Sequence, residues 1–212
     1  SPFARLPIVR EGLHETLLRS IKEHAKRQQG RAAFINVTHS GATLTFEDVH
    51  KQSLSVAGFL QSIGFAPGDV AAATLPNSNE WPVYCIGVWA CGGIVTLASS
   101  AFTSYELEKQ LINSSASIVF TNDVNLEKTL FAVKNSPKVK TVIVLRTSDD
   151  APLPSDVIEW TAVIAAPPIK TIVKVDPDTT AILPYSSGTT GAPKGVMMSH
   201  RAFNTMIKQM ME

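Results

Sequence analysis

Apolar residues at Leu13, Leu17, Ile21 and Ala25 repeat every four positions while Arg19, Lys22, Lys26 and Arg27 fall between them, which predicts an amphipathic helix from about Leu13 to Gln29. Short runs at Ala33 to Val37 and Thr43 to Thr45 flank His39-Ser40-Gly41 and read as a hairpin. Thr45, with Asp48 three residues later, is a helix-start pair for a second helix that runs to Ile63 and stops at Gly64. Ala66-Pro67-Gly68-Asp69 turns the chain into a short apolar strand, Val70 to Leu75. Asn77 to Asn79 offer cap candidates for a helix that tolerates Pro82 only in its first turn and that Gly92-Gly93 ends.

The alternation then continues through a strand at Ile94 to Leu97, a helix at Ser104 to Asn113, a strand at Ile118 to Thr121, a helix at Asn125 to Asn135 and a strand at Thr141 to Leu145. This is the βαβ rhythm of an α/β fold, a mostly parallel sheet covered by helices on both faces. Thr147 to Pro168, with Pro152, Pro154, Pro167 and Pro168, reads as a looser segment crossing the surface before an apolar strand at Ala181 to Leu183. From Phe203 the apolar positions Phe203, Met206, Ile207, Met210 and Met211 form a helical stripe that meets no glycine or proline stop. With a start at Ser1 and no methionine, the expectation is a piece of a longer protein.

Composition narrows the class. The 212 residues are 44% hydrophobic and 17% charged, enough for one well-buried domain and far from the disordered range. A net charge of +1 gives no global field toward nucleic acid or anionic lipid, so any anion recognition must be local. The basic side of the first helix lacks interleaved aromatics and reads as solvated surface. Cys85 and Cys91 sit six apart in a helical pattern, point to different faces and read as reduced, buried thiols. His14, His24, His39, His50 and His200 are scattered, with no spacing that suits a metal. Val83 to Ala98 would reach only about 24 Å as a helix, short of a bilayer core, and Gly92-Gly93 divides it, so no transmembrane segment is expected. No charged-then-apolar leader is visible, so an intracellular address, cytoplasmic or peroxisomal, is expected.

The chemistry concentrates in Tyr185 to Gly195, YSSGTTGAPKG. Glycines let backbone N–H groups converge on an anion, hydroxyls add rotatable donors, and Lys194 adds a positive charge. A flexible linker has the same composition, but the apolar runs at Ala181 to Leu183 and Val196 to Met198 put this loop between two strands. The spacing from Gly188 to Lys194 fits the ordinary P-loop, yet Pro193 stands where that loop needs a glycine N–H and Gly195 where it needs a hydroxyl for magnesium. Val196 to Met198 also delay any helix until Ser199. His200, beside its cap Ser199, reads as a surface or backbone-paired histidine, and Arg201 is within reach of an anion from the same helix start.

SSGTTGAPKG, its apolar lead-in and the trailing Ser199-His200-Arg201 resemble the signature of the adenylate-forming (AMP-binding) superfamily, and the wording LPYSSGTTGAPKGVMMSHR is most similar to the 4-coumarate–CoA ligase and luciferase-like branch. Leu75 to Trp81, Gly87 to Gly93 and Thr103 to Leu107 fall in that family's order, so the resemblance covers most of the chain. Ser99-Ser100 departs from the branch's usual Asn-Pro and leaves the local turn open.

The resemblance implies that residues 1–212 are the N-terminal portion of the AMP-binding domain, ending just after the phosphate loop. It further implies an acid–thiol ligase that joins a carboxylic acid to AMP with loss of pyrophosphate and then makes an acyl-CoA. The small-molecule partners would be the acid, ATP and coenzyme A, with Mg2+ carried by the nucleotide and no dedicated metal site. Nucleotide binding would fall to Ser186, Ser187, Gly188, Thr189, Thr190, Gly191 and Lys194, with Lys194 also catalytic. Adenine, ribose, acyl and lid residues would lie beyond Glu212, leaving this piece inactive alone. A non-catalytic relative that keeps the loop as a binding module is the alternative.

Overall fold

The computed structural model describes residues 9–37, 42–148, 152–186 and 193–210. Helix α1 (Leu13–Arg27) leads into an antiparallel pair, β1 (Ala32–Ile35) and β2 (Thr43–Thr45), whose expected turn at His39-Ser40-Gly41 lies outside the described residues. Helix α2 (Phe46–Ser62) starts as the sequence predicts: Asp48 N–H donates to Thr45 Oγ1 at 3.1 Å and Thr45 N–H donates back to Asp48 Oδ2 at 2.9 Å. Next come β3 (Val70–Thr74), α3 (Glu80–Ala90), β4 (Ile94–Leu97), α4 (Ser104–Ser114), β5 (Ala116–Asn122), a 3-10 turn at Asp123–Asn125, α5 (Leu126–Lys134) and β6 (Thr141–Leu145). The turn left open at Ser99-Ser100 is closed by Ser99, which accepts Ala101 N–H on its hydroxyl and Phe102 N–H on its carbonyl.

The segment from Thr147 to Pro168 corrects the expectation of a loose surface crossing. It holds β7 (Ile158–Glu159) and α6 (Trp160–Ala165), with Trp160 and Val163 buried. Four prolines frame the short apolar run Val157 to Ala166, which is too brief to show a period, but Trp160 stacks on Phe120, which in turn meets Tyr84, at ring-centroid distances of 4.7 and 4.8 Å.

The chain then crosses to β8 (Thr180–Leu183), folds back as β9 (Tyr185–Ser186) and β10 (Lys194–Gly195), and ends in β11 (Met198–Ser199) and α7 (His200–Met210). Val196 to Met198 is therefore not one buried strand: Val196 and Met197 are exposed between β10 and β11. The reason is the pairing, since β10 belongs to a hairpin and β11 to the sheet edge.

Among the described residues the main sheet runs β11-β8-β4-β3-β5-β6-β7, parallel throughout except for the edge strand β11. Period-two alternation divides its side chains between the faces. Ala71, Ala73, Ile118, Phe120 and Ile143 join a core with α1, α2, α3 and α6, while Val70, Ala72 and Val119 join one with Leu107 and Leu111 of α4 and Ala132 of α5. Both faces are thus covered by helices, as the rhythm predicts. Helix α3 is buried from Val83 to Ala90, which accounts for the lack of charge after Glu80, and no helix of the described residues is long and apolar enough to span a membrane.

Candidate active site

The parallel strands all end on one side of the sheet, and β8 delivers the chain there to the β9–β10 hairpin. Lys194 pairs with Ser186 and Gly195 with Tyr185, so both arms of the loop are fixed by antiparallel register. Ser186 and Lys194 are exposed, and no hydrogen bond or ion pair within the described residues engages the Lys194 ammonium. Ser187, Gly188, Thr189, Thr190 and Gly191 lie outside the described residues.

Gly195 has a local cause. A Cβ there would stand 3.1 Å from the Tyr185 ring, so a bare backbone lets that ring lie across the hairpin. The position that an ordinary P-loop gives to a magnesium-binding hydroxyl is spent here on packing.

Buried polar contacts fix the base of the hairpin. Thr96 on β4 donates its hydroxyl to the Leu183 carbonyl at 2.9 Å, and Gln110 of α4 donates to Thr96 Oγ1 at 3.1 Å and to the Leu97 carbonyl at 3.0 Å. The Tyr185 hydroxyl donates to Asn113 Oδ1 at 2.5 Å; partial burial raises its pKa, keeping the phenol neutral. Between α4 and the hairpin lies a cavity of about 640 Å³ lined by Phe102, Tyr105, Lys109, Ile112, Tyr185 and Pro193. Sequence reading missed this support, although a threonine in an apolar strand and a glutamine on a buried helix face are the signals that could have suggested it.

On the trailing side, Ser199 caps α7 through Ala202 N–H at 3.2 Å, as expected. Arg201 is not aimed at the loop. Its guanidinium grips Asp178 at 2.6 and 2.8 Å and also donates to the Val9 carbonyl. His200 is backbone-paired but buried, at 1% exposure, and accepts Leu13 N–H on Nδ1 at 3.2 Å. The histidines that look scattered in sequence include a contacting pair, with the His14 and His200 ring centroids 5.7 Å apart.

Cys85 and Cys91 are free and buried, and burial pushes both thiols up, which leaves them unreactive. No cluster of three or more metal-ligating side chains occurs among the described residues.

A hydroxyl- and glycine-rich sequence on a hairpin, beside a lysine whose ammonium has no partner among the described residues, suits a polyphosphate donor set. Residues 21–212 match the AMP-binding enzyme family. The chain belongs to that family. It is 33% identical over 201 residues to acyl-CoA synthetase 7 of Caenorhabditis elegans, covering 92% of this chain and 36% of the relative. It is 37% identical over 186 residues to peroxisomal OPC-8:0-CoA ligase 1 of Arabidopsis thaliana, covering 87% and 33% respectively. Among solved structures, the luciferase-like enzyme of the mealworm Zophobas morio superposes with a TM-score of 0.86 at 21% identity, over 98% of this chain and 47% of that one, a likeness of fold. The AMP-binding chain described here thus spans about a third of the length of these curated relatives.

Proposed function

We propose that this chain is the N-terminal portion of the AMP-binding domain of an ATP-dependent carboxylic acid–CoA ligase. The observation that carries the reading is the β9–β10 hairpin, which presents Ser186 and an exposed Lys194, its ammonium without a partner among the described residues, at the strand ends of an AMP-binding fold. Relatives named as CoA ligases support the acceptor, and one named peroxisomal supports a cytoplasmic or peroxisomal address.

In the first step a carboxylate oxygen attacks the α-phosphorus of ATP, the bond to pyrophosphate breaks, and negative charge grows on the leaving group. Donors already aimed at that charge lower the barrier without reorganising. Lys194 supplies the ammonium, Ser186 a hydroxyl, and Ser187, Gly188, Thr189, Thr190 and Gly191 the remaining hydroxyl and N–H donors of the loop. Mg2+ would travel with the nucleotide, neutralising phosphate charge while keeping its own waters and phosphate ligands. The acyl-AMP then passes its acyl group to the thiol of coenzyme A with release of AMP. Adenine, ribose, acyl and lid contacts would come from the other two thirds of the polypeptide, so the 212-residue chain alone does not turn over.

The test is ATP–pyrophosphate exchange by the complete polypeptide across a panel of aromatic propenoic and fatty acids. Exchange with one class is expected, and Lys194→Ala should reduce it about 10²–10³-fold with the melting temperature unchanged, because the side chain is exposed. No exchange with any acid, or a Lys194→Ala variant at the normal rate, rejects this reading. Exchange by the isolated chain rejects the claim that it is inactive.

A further inference from the structure

Helix α1 begins at Gly12, which has no side chain with which to cap it. A larger residue does not fit: a Cβ at Gly12 would fall 2.7 Å from the His14 ring and 2.8 Å from Val175. The Gly12 N–H is met by the Glu15 carboxylate at 2.7 Å, but the N–H of Leu13, the first helical residue, is met by His200 Nδ1 from 187 residues away. An imidazole nitrogen that accepts a hydrogen bond is unprotonated, so His200 carries its proton on Nε2.

We propose that neutral His200 is the N-terminal cap of α1 and so a positioning residue for the phosphate loop, whose trailing arm stays seated only while the buried His14–His200 pair is uncharged. The regulatory part of this inference rests on the adenylation reading above. The linkage to the loop is short. His200 is the first residue of α7, β11 ends at Ser199, and β10 carries Lys194. Two further contacts run along the same seam, Arg201 to the Val9 carbonyl and Asn204 Nδ2 to Thr16 Oγ1 at 2.8 Å.

Protonation breaks this arrangement in two ways. Imidazolium has no lone pair to offer Leu13 N–H, and it places positive charge against the positive end of the α1 dipole. His14 adds to the effect: it is fully buried, its Nε2 meets the Val173 carbonyl at 2.8 Å, and its Nδ1 has no partner among the described residues. Burial, aided by the neighbouring His14, lowers the His200 pKa to about 4, and burial lowers that of His14 despite the opposing Val173 carbonyl and Glu15.

Other charges on the packed elements do not stabilise an imidazolium at His200. Glu11 is engaged by Arg19 and Thr16, Glu15 by Gly12 N–H, and Asp178 by Arg201, while the field of Asp176 falls on Arg201 and that of Lys208 on Glu11. Since the folded-state pKa lies below the ordinary 6.5, the unfolded chain binds more protons between pH 6.5 and about 4. The latch contributes fully above that window and is lost as pH falls through it.

The experiment compares wild type, His200→Asn and His200→Phe in the complete polypeptide, following pyrophosphate exchange and thermal melting from pH 7.5 to 5. Asn places an Oδ1 acceptor where Nδ1 stands and cannot titrate; Phe keeps the ring volume without the acceptor. Phe should lower kcat at least about tenfold through a misplaced loop. Asn should recover most of that loss and flatten the acid fall in melting temperature, while kcat of either folded protein stays level down to pH 5 because the folded-state pKa lies at about 4. An Asn variant whose melting temperature falls as steeply as wild type below pH 6.5 overturns the cap. A Phe variant at the wild-type kcat overturns the positioning role. If no variant exchanges pyrophosphate the functional reading fails, and the melting slopes still decide for or against the latch.

Discussion

Gly58 lies on α2 where residues 166–169 cross it, and an added Cβ would stand 2.0 Å from the Pro167 carbonyl oxygen. Neither side can yield cheaply, because Ile169 N–H donates to the Leu54 carbonyl at 3.0 Å and fixes the crossing. Gly58→Ala should therefore destabilise the fold by about 3 kcal/mol in urea denaturation, against the usual small gain for Gly→Ala inside a helix. A stable alanine variant would mean that the crossing segment gives way. Residue identities that serve one contact of this kind are illegible in sequence, since Gly58 and an ordinary helix glycine look alike. Gly195 was legible as a departure from the P-loop, but its reason, the Tyr185 ring, was not. His14 and His200 show the same limit more sharply: each is ordinary alone, and only the fold brings them together.

Local chemistry sets the helix starts. Thr45–Asp48 and Thr103–Glu106 are reciprocal capping boxes, the second with Thr103 N–H on Glu106 Oε2 at 2.8 Å and Glu106 N–H on Thr103 Oγ1 at 3.3 Å. Replacing either threonine with alanine should cost about 1 kcal/mol, read as a lower urea midpoint with an unchanged slope. A change below about 0.3 kcal/mol at Thr45 would show that tertiary packing alone holds α2. Elements with a clear hydrophobic period between turn residues were legible, as for α1, α2, α4 and β3 to β6, although α1 has no side-chain cap of its own. The elements α6 and β7 were not, because their existence depends on Trp160 finding Phe120 across the sheet. Nor was the division of Val196 to Met198, where apolar composition promises a buried strand and the pairing partners dictate otherwise.

Across the whole molecule, protection should follow the sheet. Strand β3 is buried at every position and lies between β4 and β5, so its amides should exchange with solvent only through global unfolding, while those of β9–β10, an isolated two-residue pairing, exchange through local opening. Native-state hydrogen exchange checks this, and equal protection of the two would contradict it. The fold class was legible because a parallel sheet writes its burial into nearly uninterrupted apolar strands. The strand order was not, since β8 returns from beyond β7 to the opposite side and pairs with β4, with Thr96 and Leu183 joined across 87 residues. That return has a consequence for a chain made from its N-terminus. While a ribosome is still adding residues up to Thr180, β4 has an open edge and Leu13 N–H has not met His200; both wait for residues 180–200 to emerge. The phosphate hairpin is thus built only after β3 to β7, and a nascent chain stalled before it exposes an unpaired strand of apolar residues, the kind of edge that chaperones cover and that aggregates recruit.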